Sequence, residues 1–217
     1  MNILGFDTAT DMLTVALKAA DRLHHFKELH PRLHLKYLIP KIDALVKESK
    51  IKKTEISFIA VGLGPGSFTG LRIGLATAQT LAHALNKPLI GVPTLDIMAK
   101  KLSQEKTYLN FKYICIALDA KKGEVYSCLY RRKELQLDKV NQMLLLKPET
   151  LVDQLKKVKE PVLLAGDAAL SYKTLFSERL SKQLALAEQP FWYPDAAVLI
   201  QLAQEKIEEN KFKLYFQ

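Results

Sequence analysis

Cysteine is nearly absent from this chain. Its 217 residues include two, Cys115 and Cys128, and neither belongs to a C-x-x-C pair. That excludes a cysteine-built zinc site or a dithiol redox pair. Both sit in apolar, strand-like runs, where buried and reduced thiols are expected. No apolar run approaches the ~20 residues of a membrane-spanning helix. The opening Met1-Asn2-Ile3-Leu4-Gly5-Phe6-Asp7 has no basic stretch leading into an apolar core and a small-residue cleavage site. No signal peptide and no membrane contact are expected, and a cytoplasmic location is. A G-x-S-x-G elbow is missing, and no cysteine stands beside a histidine, so hydrolase triads find no support. Acidic residues are in deficit, 23 against 32 basic, for a net charge of +9. That balance favours an acidic partner, RNA included. The basic residues are scattered, with short clusters at Lys52-Lys53, Lys121-Lys122 and Arg131-Arg132-Lys133. No stripe interleaves them with aromatics, so a solvated basic surface reads equally well. The closing Leu214-Tyr215-Phe216-Gln217 resembles the end of a protease-tag site that the preceding residues do not complete.

Hydrophobic residues make up 48% of the chain, enough for a sizeable core. Ile3 to Ala9 reads as a buried strand, and Met12 to Lys18 and Leu23 to Leu29 as its antiparallel continuation. Pro31 precedes a helical pattern from His34 to Lys50 that carries Leu35, Leu38, Ile39, Ile42, Leu45 and Val46. A strand at Phe58–Leu63, a glycine-rich turn, a helix from Ser67 to Leu85, a strand at 88–92 and a helix from Thr94 follow. Tyr113 to Ala120 then echoes the opening: an apolar strand ends in aspartate and a second amphipathic strand follows. Further strand to Leu146, a helix at 148–157, a strand at 162–165, a helix from about Ala168 and a last helix at 196–208 complete the pattern. The order strand-strand-strand-helix-strand-helix thus occurs twice, more loosely the second time. It predicts an α/β protein of the actin-like ATPase (ribonuclease H-like) fold in two tandem lobes, 1–108 and 109–217.

The turn Gly62-Leu63-Gly64-Pro65-Gly66-Ser67-Phe68-Thr69-Gly70 ends a strand and opens a helix, and Ser67 suits an N-cap. Such a helix start can hold an anion. No lysine follows the glycines, so it is not a Walker loop, and a turn that binds nothing fits the spacing as well. Along the helix, Gly70 and Gly74 share a face with small residues that admit a close neighbour, this chain's own sheet or a partner. Asp7 and Asp119, each at a strand end, are the residue type that holds magnesium or orients water. Their neighbours lack the paired glycines that let phosphates in, and Ala165-Gly166-Asp167 offers a single glycine. His30 and His34 are four apart, but Pro31 intervenes and no third ligand is near, so no metal site is expected.

These stretches are recognisable together. F-D-T-A-T at 6–10, H-L-K-Y-L-I-P at 34–40, G-P-G-S-F-T-G-L-R-I-G at 64–74, P-L-I-G-V-P-T-L at 88–95 and L-D-A-K-K-G-E-V-Y at 118–126 resemble the TsaB (YeaZ) family. The likeness is close to about residue 130 and weaker to about 205, and the family's usual final P-x-Y-L-R is not visible. The resemblance implies a non-catalytic partner of the transferase TsaD, acting with the ATPase TsaE. The product is N6-threonylcarbamoyladenosine at position 37 of tRNAs that read codons starting with A. TsaD carries an H-x-x-x-H metal pair where this chain has Pro93-Thr94-Leu95-Asp96. No cofactor of its own is implied, beyond room for a nucleotide at the junction with TsaD. Binding through the helices that start at His34 and Ser67 puts the partner interface on His34, Leu38, Ile42, Phe68, Gly70, Leu71, Gly74, Ala78 and Leu81. A homodimer is expected when the chain is alone. Asp7, Thr8, Asp119 and Gly166 become a vestigial nucleotide site. The competing readings are an active ATPase or phosphotransferase using Asp7 and Asp119, and a metallopeptidase.

Overall fold

The computed structural model describes residues 1–30, 33–133, 136–180 and 183–209. Pro31 and the tag-like tail lie outside them. The chain divides into two compact units: residues 1–97 with 194–217, and residues 98–193.

In the first unit β1 (Ile3–Asp7), β2 (Met12–Ala19) and β3 (Arg22–Leu29) form an antiparallel meander. Helix α1 (His34–Ser49) leads to β4 (Phe58–Gly62), which pairs parallel with β1, and α2 (Phe68–Leu85) leads to β5 (Leu89–Val92) beside β4. The sheet order is β3-β2-β1-β4-β5. Side chains alternate across a strand, and both faces of this sheet are covered. Leu4 and Phe6 of β1 therefore join Leu38, Ile42, Leu45 and Val46 of α1 and Ala78 and Ala82 of α2. Ile3 points the other way, into a cluster with Leu199, Ile200 and Ala203. Those three belong to α7 (Ala196–Glu208), the last helix.

In the second unit β6 (Tyr113–Lys121), β7 (Glu124–Lys133) and β8 (Gln136–Lys139) are antiparallel, and β9 (Leu144–Leu146) also pairs with β7. Helix α4 (Pro148–Lys156) precedes β10 (Val162–Ala165), parallel to β6. Helices α5 (Ala168–Ser171) and α6 (Lys173–Leu180) lead to β11 (Leu184–Leu186), parallel to β10. The order β11-β10-β6-β7-β8 repeats that of the first sheet. This duplicated mixed sheet is the actin-like fold predicted above. The second copy is looser because α5 and α6 split what is one helix, α2, in the first.

Three expectations change. The division at 108/109 falls instead at 97/98, within α3 (Thr94–Ser103), and α7 returns to the first unit because its apolar face packs on β1 and β2. Arg132, read as part of a surface cluster, turns inward. Its guanidinium donates to the carbonyls of Ser103, Tyr108 and Phe111, tying the α3–β6 connection to β7. The strand β11 carries too little periodicity to be read from sequence. The cysteines behave as expected: both are buried and not joined in a disulfide, and burial pushes the Cys115 thiol up to about 12. No described helix is long and apolar enough to cross a membrane.

Candidate partner-binding site

Strand β1 delivers its last residue, Asp7, to a position with 0% exposure. One carboxylate oxygen accepts the Ala9 N–H at 2.7 Å, and the other accepts the Thr94 hydroxyl at 2.7 Å. Thr94 in turn accepts the Gly64 N–H at 3.0 Å. A Cβ at Gly62 would lie 1.9 Å from an Asp7 oxygen, so the carboxylate fits only beside glycine. Burial raises the Asp7 pKa, against the opposing hydrogen bonds from Ala9 and Thr94. Asp7 is thus a bracket joining β1, the glycine-rich turn and the start of α3.

The three residues after it hold two helices. The Thr8 hydroxyl donates to the Gly70 carbonyl at 2.8 Å. A Cβ at Gly70 would meet Thr8 O at 2.1 Å, and one at Gly74 would meet Thr8 Oγ1 at 2.3 Å. The Ala9 carbonyl accepts the Ser67 N–H at 2.7 Å, and Ser67 Oγ caps α2 by accepting the Gly70 N–H at 3.2 Å. The Thr10 carbonyl faces His34 Nε2 at 2.7 Å. A carbonyl only accepts, so His34 carries its proton on Nε2. Burial lowers the His34 pKa, with the Thr10 bond opposing, and its Nδ1 has no hydrogen-bond partner among the described residues. The opening F-D-T-A-T, the start of α1 and the G-P-G-S-F-T-G turn are therefore one interlocked assembly.

That clamp decides which faces of α1 and α2 look outward. His34, Leu38, Ile42, Gly70, Gly74 and Ala78 are buried against the chain's own sheet and loop. Their assignment to a partner interface is corrected: on α2, Gly70 and Gly74 make room for Thr8, and Ala78 and Ala82 join the core. Phe68 is 73% exposed, while Leu71 and Leu81 are half-buried. The residues that stand out on α1 are Leu35, 75% exposed, and Ile39, 50% exposed. In the sequence both fell within one broad apolar stripe. What separated them was only their offset from Leu38 and Ile42. Together Leu35, Ile39 and Phe68 leave large apolar side chains on the solvent side of both helices, with the Arg72 guanidinium 5.4 Å from the Phe68 ring centre. Behind Ile39 a cavity of about 290 Å³ opens between α1 and α2. It is floored by Leu4, Ile42 and Ile56 and flanked by Leu81 and Leu85. At its rim Asp43 pairs with Lys47 at 2.8 Å and Lys53 at 2.9 Å, and those ammoniums hold its carboxyl at about 2.

In the second unit Asp119 accepts from the Lys121 N–H at 2.8 Å, the Lys121 ammonium at 3.2 Å and the Ser171 hydroxyl at 3.1 Å. Its pKa is lowered: burial acts to raise it and is outweighed by Lys121 and Ser171. Its N–H donates to Asp167 at 2.8 Å, next to Gly166, whose φ is 111°. Asp7 and Thr8 belong to the first unit; Asp119 and Gly166 belong to the second. His30 stacks on Tyr37 with ring centres 4.3 Å apart. Among the described residues no group of three or more histidine, cysteine or acidic side chains is arranged to hold a metal.

The family model described as TsaD, tRNA N6-adenosine threonylcarbamoyltransferase, matches residues 27–213. The tRNA threonylcarbamoyladenosine biosynthesis protein TsaB of Escherichia coli K12 is 32% identical over 97% of this chain and 89% of its own length. TsaB of Bacillus subtilis 168 is 28% identical over 95% and 88%. The structure of YeaZ from Pseudomonas aeruginosa superposes with a TM-score of 0.82, at 27% identity, over 98% of this chain and 95% of that one. The chain belongs to the TsaB family of tRNA threonylcarbamoyladenosine biosynthesis proteins, inside the wider family named for the transferase TsaD.

Proposed function

We propose that this chain is the non-catalytic partner of a TsaD-type threonylcarbamoyl transferase, binding it through the outward faces of α1 and α2. The observation that carries this reading is the exposed apolar set Leu35, Ile39 and Phe68, presented on two helices that a dedicated clamp holds in place. Exposed apolar patches rimmed by charge are the usual mark of a protein–protein contact. The complex forms N6-threonylcarbamoyladenosine at position 37 of tRNAs reading codons that start with A, with a TsaE-type ATPase as the third protein. The tRNA reaches this chain through the complex, the site of action is the cytoplasm, and a nucleotide has its place at the junction with TsaD rather than on this chain alone. Without TsaD the chain self-associates through the same face.

Two features weigh against an independent ATPase or metallopeptidase. Both Asp7 oxygens are engaged by Ala9 and Thr94 in a site closed to solvent. The positions where TsaD carries its histidine pair hold Pro93-Thr94-Leu95-Asp96, and Thr94 is committed to Asp7. The decisive experiment is co-purification with TsaD, followed by threonylcarbamoyl transfer to tRNA with and without this chain. Transfer at full rate in its absence overturns the proposal. ATP turnover by the isolated chain near the ~1–100 s⁻¹ of kinases overturns the non-catalytic part.

A further inference from the structure

We infer that the end of the second unit's sheet where β6, β10 and β11 begin is a contact for the phosphate backbone of RNA. That the RNA is tRNA rests on the reading that the chain works in a complex with TsaD. Residues 98–193 hold 17 lysines and arginines against 11 aspartates and glutamates, a net charge of +6 out of the chain's +9. Along the sequence these bases are scattered, but the topology gathers a set of them. Strands β6, β10 and β11 run parallel and so begin at one end of the sheet, and β7, antiparallel to β6, finishes there. Tyr113, the first residue of β6, is in register with Val162 of β10 on one side and Arg131 of β7 on the other. Lys112 therefore stands beside the end of β7, with Arg131 and Lys133, and beside the loop that carries Lys157 and Lys159 from α4 into β10. The Arg132 N–H donates to the Lys112 carbonyl at 2.8 Å, and the Lys112 ammonium meets Glu160 at 2.9 Å. The last turn of α4, with Lys156, comes to the same end: Gln183, just before β11, donates to the Leu155 carbonyl at 3.1 Å.

Lys133, Lys156, Lys157 and Lys159 are exposed. Lys112 and Lys133 are each balanced by one carboxylate, Glu160 and Asp138. Arg131, Lys156, Lys157 and Lys159 make no ion pair among the described residues. A helix C-terminus attracts lysines through its dipole. That accounts for Lys156 at the end of α4 and not for Lys112, Arg131 or Lys159. The row crosses three adjacent strands, about 10 Å, on the scale of a few phosphates of one nucleic-acid strand. A protein partner would ask for something else, since protein interfaces are poor in lysine and centre on apolar anchors. Most of the large apolar side chains exposed on this unit lie away from the row. Met143 and Leu145 flank the far half of β7, and Leu170 and Leu186 follow the far ends of β10 and β11. A phosphate backbone needs only the charges, whose binding releases its counterions. Such contacts fix where the RNA lies without reading its sequence, which suits a subunit that positions tRNA while its partner does the chemistry.

The test titrates tRNA against the full chain alone and against its mixture with TsaD, at salt from about 50 to 200 mM. The triple variant Lys156→Gln/Lys157→Gln/Lys159→Gln is expected to weaken tRNA binding at least about tenfold. It is also expected to flatten the slope of log affinity against log salt by about two to three. All three lysines are exposed, so its melt is expected to match that of the unaltered chain. The variant Arg22→Gln/Lys50→Gln/Lys52→Gln removes the same charge from the first unit and is expected to stay within about twofold of the unaltered chain. Equal weakening by both triples would mean that net charge alone acts, and it overturns the contact. Affinity and slope left unchanged by the first triple overturn it too, as does the absence of tRNA binding in both preparations. An acidic protein segment is the competing occupant. If the first triple loses TsaD or TsaE in a pull-down while its tRNA titration is unchanged, the row is a protein contact and the RNA assignment falls. If the unaltered chain captures no TsaD, the partner reading fails, and the titration of the chain alone still decides the row.

Discussion

The Thr8 hydroxyl donates to the Gly70 carbonyl at 2.8 Å, with Gly70 and Gly74 stripped of side chains to let it in. The first strand of the chain thereby holds the helix that presents Phe68. A substitution at this junction is expected to act on folding, and one on the outward face on the proposed binding.

Gly74→Leu is expected to destabilise the protein. Its first side-chain carbon would lie 2.3 Å from Thr8 Oγ1, and Thr8 is 2% exposed and has no room to yield. Overpacking of this kind costs about 1–3 kcal/mol or more. The midpoint of a urea or thermal melt is expected to fall accordingly. An unchanged melt with loss of TsaD binding would return Gly74 to the partner interface.

Leu35→Glu and Leu38→Glu are three residues apart on α1 and are expected to behave oppositely. Leu35 is 75% exposed and Leu38 1%. Glutamate at 35 is expected to leave stability within about 0.5 kcal/mol, as for ordinary surface changes, and to abolish co-purification with TsaD. Glutamate at 38 buries an unpaired charge and is expected to leave too little folded protein to assay. Circular dichroism and pull-down on both variants separate the two outcomes.

The buried Asp7 makes stability depend on pH. Its folded pKa is raised above the 3.8 of an ordinary aspartate, so the folded state holds the proton more tightly than the unfolded state. The contribution is most favourable below 3.8 and is lost as pH rises through the folded value. Asp7→Asn removes the charge and keeps an acceptor for Ala9. The stability of wild type minus that of Asp7→Asn, from urea melts between about pH 4 and pH 7.5, is expected to decline as pH rises. A flat difference would mean that Asp7 titrates as an ordinary aspartate.

Asp195 works in the opposite sense. It caps α7 by accepting the Ala197 N–H at 3.0 Å, and it pairs with His25 at 3.2 Å and Lys27 at 3.4 Å on β3. Burial acts to raise its pKa, but His25 and Lys27 outweigh burial and hold it far below the usual range. A depressed pKa contributes stability that is present above 3.8 and lost as pH falls through the folded value. Asp195→Ala is expected to cost about 2 kcal/mol at neutral pH. Asp195→Asn retains the cap without the charge and is expected to fall between the two in chemical denaturation. Equal stability of all three would show that the cap and the ion pairs do not hold α7.

Local patterns carried most of the fold. Two copies of the same strand and helix order, each opening with an apolar strand that ends in aspartate, are a periodicity visible along the chain, and they specified the duplicated sheet. The missing neighbours of Asp7 and Asp119 were equally local, because phosphate access depends on the residues beside the carboxylate.

The direction in which each helix faces is a different kind of fact. In α1, Leu35, Leu38, Ile39 and Ile42 form one broad apolar stripe, and in α2 glycine spacing suits an inner contact and an outer one equally. Only the packed structure, in which Thr8 occupies the glycine face and Leu38 and Ile42 meet Leu4 and Phe6, turns Leu35, Ile39 and Phe68 outward. The same holds for α7, which follows the second sheet in sequence yet packs on the first. Periodicity along the chain determines which residues are apolar together. Which surface covers them depends on contacts between segments far apart in sequence, and these the tertiary structure alone decided.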